Sequence, residues 1–167
     1  MDSMKLTAAS WSFVGASLKE SAGIWKSLGL NAMDLIAFPD GIPDAKAIDR
    51  DPEGQATLLG DLGIDLASVL YFFGSWFDDN PVNSSDSSVR IRNMDIFERV
   101  LAFCNKASIP TVCVLPGVDQ KGISHEKALN IAGETMSQMA GHARQSGVRF
   151  VFEPHIESVL ESPIETL

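Results

Sequence analysis

The chain has 167 residues, 45% of them hydrophobic and 21% charged, which fits one globular domain with an ordinary core and excludes a disordered or fibrous class. A net charge of −9, with 13 scattered Lys and Arg, argues against nucleic-acid binding, which needs clustered cations. No apolar run is long enough to suggest a membrane partner, no secretory signal is evident, and Cys104 and Cys113 read as buried reduced thiols, so the expected compartment is the cytoplasm.

The elements alternate along the chain. A first strand is predicted over residues 6–12. A helix over 18–28 follows, with Leu18, Ala22, Trp25 and Leu28 on one stripe. A second strand spans 32–37. The second helix opens at Asp51-Pro52-Glu53, a capping carboxylate ahead of a first-turn proline, and buries Leu58, Leu59 and Leu62. A third strand over 66–72 leads to a long helix over 86–107, where Met94, Phe97, Leu101 and Cys104 recur at helical spacing. The fourth strand covers 111–115. The fourth helix starts at Ser124 and uses Leu129, Ala132, Met136, Met139 and Ala143. A fifth strand covers 149–153. Ser162-Pro163-Ile164-Glu165 then writes a capping box, the expected start of a fifth helix, and the chain ends at Leu167.

Strands three to five are nearly continuous apolar runs, as expected of a parallel sheet covered on both faces. Leu28-Gly29-Leu30, Leu62-Gly63-Ile64, Ser108-Ile109-Pro110 and Ser146-Gly147-Val148 occupy equivalent helix-to-strand junctions. Glycine there suits a left-handed helix cap. Alternating units of this kind fit an open doubly wound sheet or a closed barrel. No phosphate-cradling glycine loop follows any strand; Gly15 stands alone. The loops after strands two to four are long and rich in aromatic, acidic and glycine residues. The expected fold is therefore α/β, a (β/α)8 TIM barrel of which about five strands and four helices are present. Residues 1–167 form one unit, read as the front part of such a barrel.

The run Val148 to His155 carries the chemistry. An apolar strand meets Glu153, then Pro154 stops it, then His155 follows. Both polar groups therefore fall at the C-terminal lip of a strand, where barrels bind ligands and metals. Glu153 reads as a ligand-binding group at that lip, or as a solvated strand end. His155 reads as a pocket group that bonds a substrate hydroxyl or orients Glu153. Trp11, Phe13, Phe73, Trp76 and Phe77 gather near the ends of strands one and three. They read as an apolar wall of a substrate pocket, with plain core packing as the competing reading. His125 reads as solvated, and His142 as a satisfied group on the surface of the fourth helix. Asp78 and Asp79 lack the further ligands of a calcium loop.

Trp11-Ser12-Phe13, Leu28-Gly29-Leu30-Asn31-Ala32-Met33-Asp34-Leu35 and Phe152-Glu153-Pro154-His155, with Ser158 and Ser162 to Leu167, together resemble the sugar phosphate isomerase/epimerase group of the xylose-isomerase-like TIM barrels. The resemblance spans the whole chain and about five-eighths of the barrel. It implies a divalent metal (Mn, Mg, Co or Zn) at the C-terminal mouth, held by Glu, Asp, His and Glu from strands five to eight. Glu153 takes the strand-five place, and would be one of two glutamates that move a proton next to a substrate carbonyl. The other three ligand strands are not in this chain, so it is expected to lack turnover alone. Where the family has a glutamate near the end of strand two, this chain has Asp34. The implied substrate is a small sugar or polyol. A dehydratase of inositol or shikimate type shares the barrel and metal. A non-catalytic half-barrel would leave strands one and five as open edges that invite pairing with a second copy, a homo-oligomer. The apurinic endonucleases of the same barrel family need further histidines where Asp34 and Phe72 fall, and a basic face.

Overall fold

In the computed structural model, residues 6–13 and 15–161 are described. Five parallel strands, β1 (Thr7–Ala9), β2 (Ala32–Ala37), β3 (Asp65–Tyr71), β4 (Thr111–Val114) and β5 (Arg149–Phe152), form one sheet in the order 1-2-3-4-5. The helices are α1 (Leu18–Ser27), α2 (Ala45–Arg50), α3 (Pro52–Leu59), α4 (Ser87–Lys106) and α5 (His125–Gln145). An open doubly wound sheet reverses its strand order at a switch point. Here each new strand adds to the same edge, the progression of a barrel wall. Among the described residues the wall does not close, and β1 and β5 are its edges.

The expected caps form. Asp51, Asp86 and Ser124 each accept a backbone N–H in the first turn of α3, α4 and α5. Ser17 and Glu20 make a reciprocal capping box on α1, one residue ahead of the predicted helix start. The fifth helix expected at Ser162 lies outside the described residues. Four helices were expected between the strands and five are present. The additional one, α2, is a short turn capped by the Asp44 side chain on Lys46 N–H. Six residues are too few to show a 3.6-residue period, so the pattern reading took them as loop. The first strand is also shorter than expected. Residues 10–12 coil into a 3-10 turn, because the Ser10 hydroxyl turns in to accept the Ile36 N–H at 3.0 Å.

The four helix-to-strand junctions all use a left-handed residue: Gly29, Gly63, Ser108 and Gly147 have φ of 80°, 60°, 57° and 72°. Ser108 shows that the junction geometry outweighs the usual preference for glycine.

Alternation along the strands divides the sheet into two faces. Met33, Leu35, Ala37, Val69, Tyr71, Val112 and Val114 face the helices and build the main core with Phe97, Val100, Phe103 and Met139. Phe150 joins it edge-on against Phe97, centroids 5.8 Å apart. Losing the fully buried Phe97 ring would cost about 3–5 kcal/mol. The opposite, inner face carries Asp34 and Ile36 of β2, Ser68 and Leu70 of β3, Thr111 and Cys113 of β4, and Arg149 and Val151 of β5, by strand register. A bulge at Ala67 in β3 keeps Ser68 beside Asp34 on that face.

Candidate active site

Glu153 follows β5 directly. Its N–H donates to Val114 O at 3.1 Å, so it still runs with the sheet. Alternation after Arg149 and Val151 puts its side chain on the inner face, at the C-terminal rim. The side chain is exposed and its carboxylate has no hydrogen-bond or ion-pair partner among the described residues. Cys113 lies lower on the same face, in register with Val151. Burial, with the Glu153 charge as a second cause, pushes the Cys113 thiol up to about 12.

Pro154 ends the strand, and the chain then folds into a turn held by Ser158. The Ser158 hydroxyl accepts from His155 N–H at 3.3 Å and Leu160 N–H at 3.2 Å, and donates to Leu160 O at 2.8 Å. His155 Nδ1 stands 2.5 Å from Ile156 O. A carbonyl only accepts, so Nδ1 carries the proton and Nε2 is the nitrogen left for a ligand. The imidazole packs on Phe77 with centroids 4.6 Å apart. Phe77 in turn lies 5.0 Å from Trp76 and 6.0 Å from Phe72, both nearly parallel to it. Phe72, Phe77, Trp76 and His155 thus form one aromatic tier beside Glu153, and Trp76 is 63% exposed.

The other three aromatic candidates lie elsewhere. Phe13 packs on Trp25 of α1, centroids 4.5 Å apart, within the core. Trp11 sits exposed on the 3-10 turn after β1. Neither ring contacts the tier. Phe73 packs edge-on against Tyr71 on the helix side.

Asp34 does not reach the rim. It lies in mid-strand, where Thr7 Oγ1 and Ser68 Oγ both donate to it, the latter at 2.6 Å. This carboxylate is spent on joining β1, β2 and β3. His125 pairs with Asp119 and His142 with Glu98 on the outer surface.

One functional arrangement went unseen in the sequence. Asn83 is fully buried, and its amide donates to Val118 O at 2.9 Å and accepts Val118 N–H at 3.1 Å. Its own carbonyl accepts from Gln120 Nε2 at 2.6 Å. Gly117 is cut to fit this amide: its φ is 91°, and a Cβ there would meet Asn83 Oδ1 at 2.1 Å. Gly117 O then accepts Val159 N–H at 2.9 Å. The loops after β3, β4 and β5 are thereby stitched together behind the aromatic tier. In the sequence, Asn83 sits in a polar run that reads as ordinary loop.

Among the described residues no group of three or more His, Cys, Asp or Glu could hold a metal ion. Glu153 fits one ligand position and does not make a centre. A cleft of about 640 Å³ lies at the other end of the strands, lined by Asp65, Thr111 and Arg149 among others. That end of a barrel serves stability rather than chemistry, and size alone does not outweigh this placement. No helix of the described residues is long and apolar enough to cross a membrane.

Solved structures share the fold at low identity. 3-Keto-D-glucoside 4-epimerase YcjR from E. coli superposes with a TM-score of 0.66 at 13% identity, over 91% of this chain and 56% of that one. IolI protein with a binding zinc atom gives 0.73 at 14% identity, over 98% and 56%. D-psicose 3-epimerase in the presence of D-fructose gives 0.66 at 18%, over 93% and 54%. The chain thus spans just over half the length of these neighbours. No curated protein sequence matches it. Residues 24–165 match the xylose isomerase-like TIM barrel family, and with the sequential parallel wall and its C-terminal rim this shows that the chain belongs to that family.

Proposed function

We propose that this chain forms the N-terminal part of a sugar isomerase or epimerase site, in which Glu153 moves the proton on the carbon next to a substrate carbonyl. The observation that carries this reading is the unpartnered Glu153 carboxylate on the inner face of the rim, beside the aromatic tier. Its neighbours in the fold agree with it: two of the superposed structures are named epimerases of sugars or keto-sugars.

Each group has a task its geometry allows. A carboxylate without a protein partner is free to take a C–H proton and return it. The exposed Trp76 ring, with the half-buried Phe77 ring stacked on it, offers flat apolar surface to the CH face of a sugar. His155 Nε2 is the nitrogen available to a substrate hydroxyl. Asn83 keeps the three loops in register, so the acid–base group and the aromatic tier hold their spacing. A divalent metal, when bound, would polarise the carbonyl and steady the enediolate charge. This chain offers Glu153 to such an ion, and the remaining ligands would come from outside the described residues. The site is then complete only when further strands extend the β5 edge.

The test is solvent-deuterium incorporation next to the carbonyl of ketohexoses, followed by NMR with and without added Mn²⁺. The chain alone should show none, and isothermal titration should find no tight metal binding. The chain joined to strands that complete the wall should exchange, and Glu153→Gln should abolish the exchange. Exchange that survives Glu153→Gln in the completed barrel would sink the assignment. Turnover to an epimer rather than to a dehydrated product separates this reading from a dehydratase.

A further inference from the structure

A second cleft, of about 380 Å³, lies outside the barrel wall between α2, α4 and the loop after β3. Its volume falls in the range of small-molecule sites. Three cations line it: Lys46 from α2, and Arg92 and Arg99 from α4. Two carboxylates, Asp49 and Asp79, line it as well. Asp40, paired with Lys46 at 2.7 Å, brings a third anion to its edge, so the cleft is close to charge balance within a chain of net charge −9.

The carboxylates are already engaged. Asp49 accepts from Arg99 Nε at 2.6 Å. Asp79 accepts from Ser75 N–H at 2.9 Å and from Asn80 Nδ2 at 2.8 Å. Lys46 reaches Asp40 at 2.7 Å. The guanidinium donors are not used up. Neither Nη group of Arg99 has a hydrogen-bond partner among the described residues, and no side-chain nitrogen of Arg92 has one. Arg92, Ile96 and Arg99 fall on one stripe of α4, which puts the two arginine backbones about 10 Å apart along the axis. Ile96 and the Tyr71 ring floor the space between them, and both are buried. Two planar forks over an apolar floor suit a compact oxyanion with several acceptor oxygens. Guanidinium binds phosphate in bidentate fashion and gives up its water more readily than an ammonium.

We infer that this cleft binds the phosphate group of a small molecule, free or as a monoester. The site is separate from Glu153 and does not rest on the proposed chemistry. It is nevertheless a neighbour of the rim. Tyr71, Phe72 and Phe73 leave β3 between the two, and Asp79 and Asn80 border both the cleft and the hollow behind Trp76 and Phe77. An anion held here would sit against the loop that carries the aromatic tier.

The experiment is isothermal titration of the chain with inorganic phosphate and, separately, with glycerol 3-phosphate, at constant ionic strength set by sodium chloride. Saturable binding in the millimolar range is expected. Arg92→Ala should weaken it about fivefold or more, Arg92→Lys less, and Arg144→Ala, which removes an exposed cation on α5, not at all. Tighter binding of glycerol 3-phosphate would assign a monoester as the ligand, and tighter binding of inorganic phosphate the free ion; either result, if lost with Arg92, supports the site. Arg92 is exposed, so its variants should fold, and circular dichroism checks this. Absence of saturation in the folded chain, or equal weakening by Arg92→Ala and Arg144→Ala, would overturn the inference.

Discussion

Two carboxylates on the inner face of the sheet, Asp34 and Glu153, differ in almost everything but charge. Asp34 lies in mid-strand and takes hydroxyl donors from β1 and β3. Glu153 stands at the rim, exposed and without a partner among the described residues. The first is a rivet between strands. The second has its lone pairs free. The contrast teaches that an acid on a barrel's inner face is not thereby catalytic. What decides is whether the protein has already spent its lone pairs.

The comparison can be broken most sharply at Glu153. In a completed barrel, Glu153→Gln should lower proton-transfer rates by about 10²–10⁴-fold, read by deuterium exchange, while urea denaturation of the chain shifts by less than about 0.5 kcal/mol. A large loss of stability would show that Glu153 is structural after all. Asp34→Ala tests the other half. It leaves the Thr7 and Ser68 hydroxyls without their acceptor and should cost about 1–3 kcal/mol in urea denaturation. A variant as stable as the parent would remove the distinction.

Trp76→Ala should raise the KM of the completed enzyme several-fold, about 1 kcal/mol of lost ring contact, with kcat nearly unchanged. A kcat effect of equal size would move Trp76 from binding to the reacting centre. The smallest effect is read on Cys113, whose thiol is pushed up to about 12 by burial and then by Glu153. At pH 8 almost none of it is thiolate, so alkylation should be slow. A negative neighbour disfavours the thiolate, so Glu153→Gln lowers the thiol pKa and should speed alkylation of Cys113 about two- to threefold. Performing this in a Cys104→Ser background isolates the signal. An unchanged rate would mean that the carboxylate points away from the sheet's inner face.

Much of the fold could be read from residue order. The caps at Asp51, Asp86 and Ser124 and the apolar runs of β3, β4 and β5 are local signals that act over a few residues, and the structure repeats them. The short helix α2 escaped because one and a half turns carry no period. Glu153 and His155 were legible as a polar pair at a strand end, since proline punctuates the strand. The partners of these residues were not. Phe13 and Trp76 look alike as aromatic residues near strand ends, yet one packs under α1 and the other stands in the open beside His155.

The sequence by itself determined the succession of strands and helices and the position of Glu153 at the end of an apolar strand, because propensity, capping and alternation are properties of neighbouring residues. Only the tertiary structure decided that Asp34 is consumed by Thr7 and Ser68, that Asn83 stitches three loops through Gly117, and that three cations meet in one cleft. Those groups lie tens of residues apart in the chain. Their meeting depends on strand register and on how α2 and α4 pack, which long-range burial sets and no local pattern encodes.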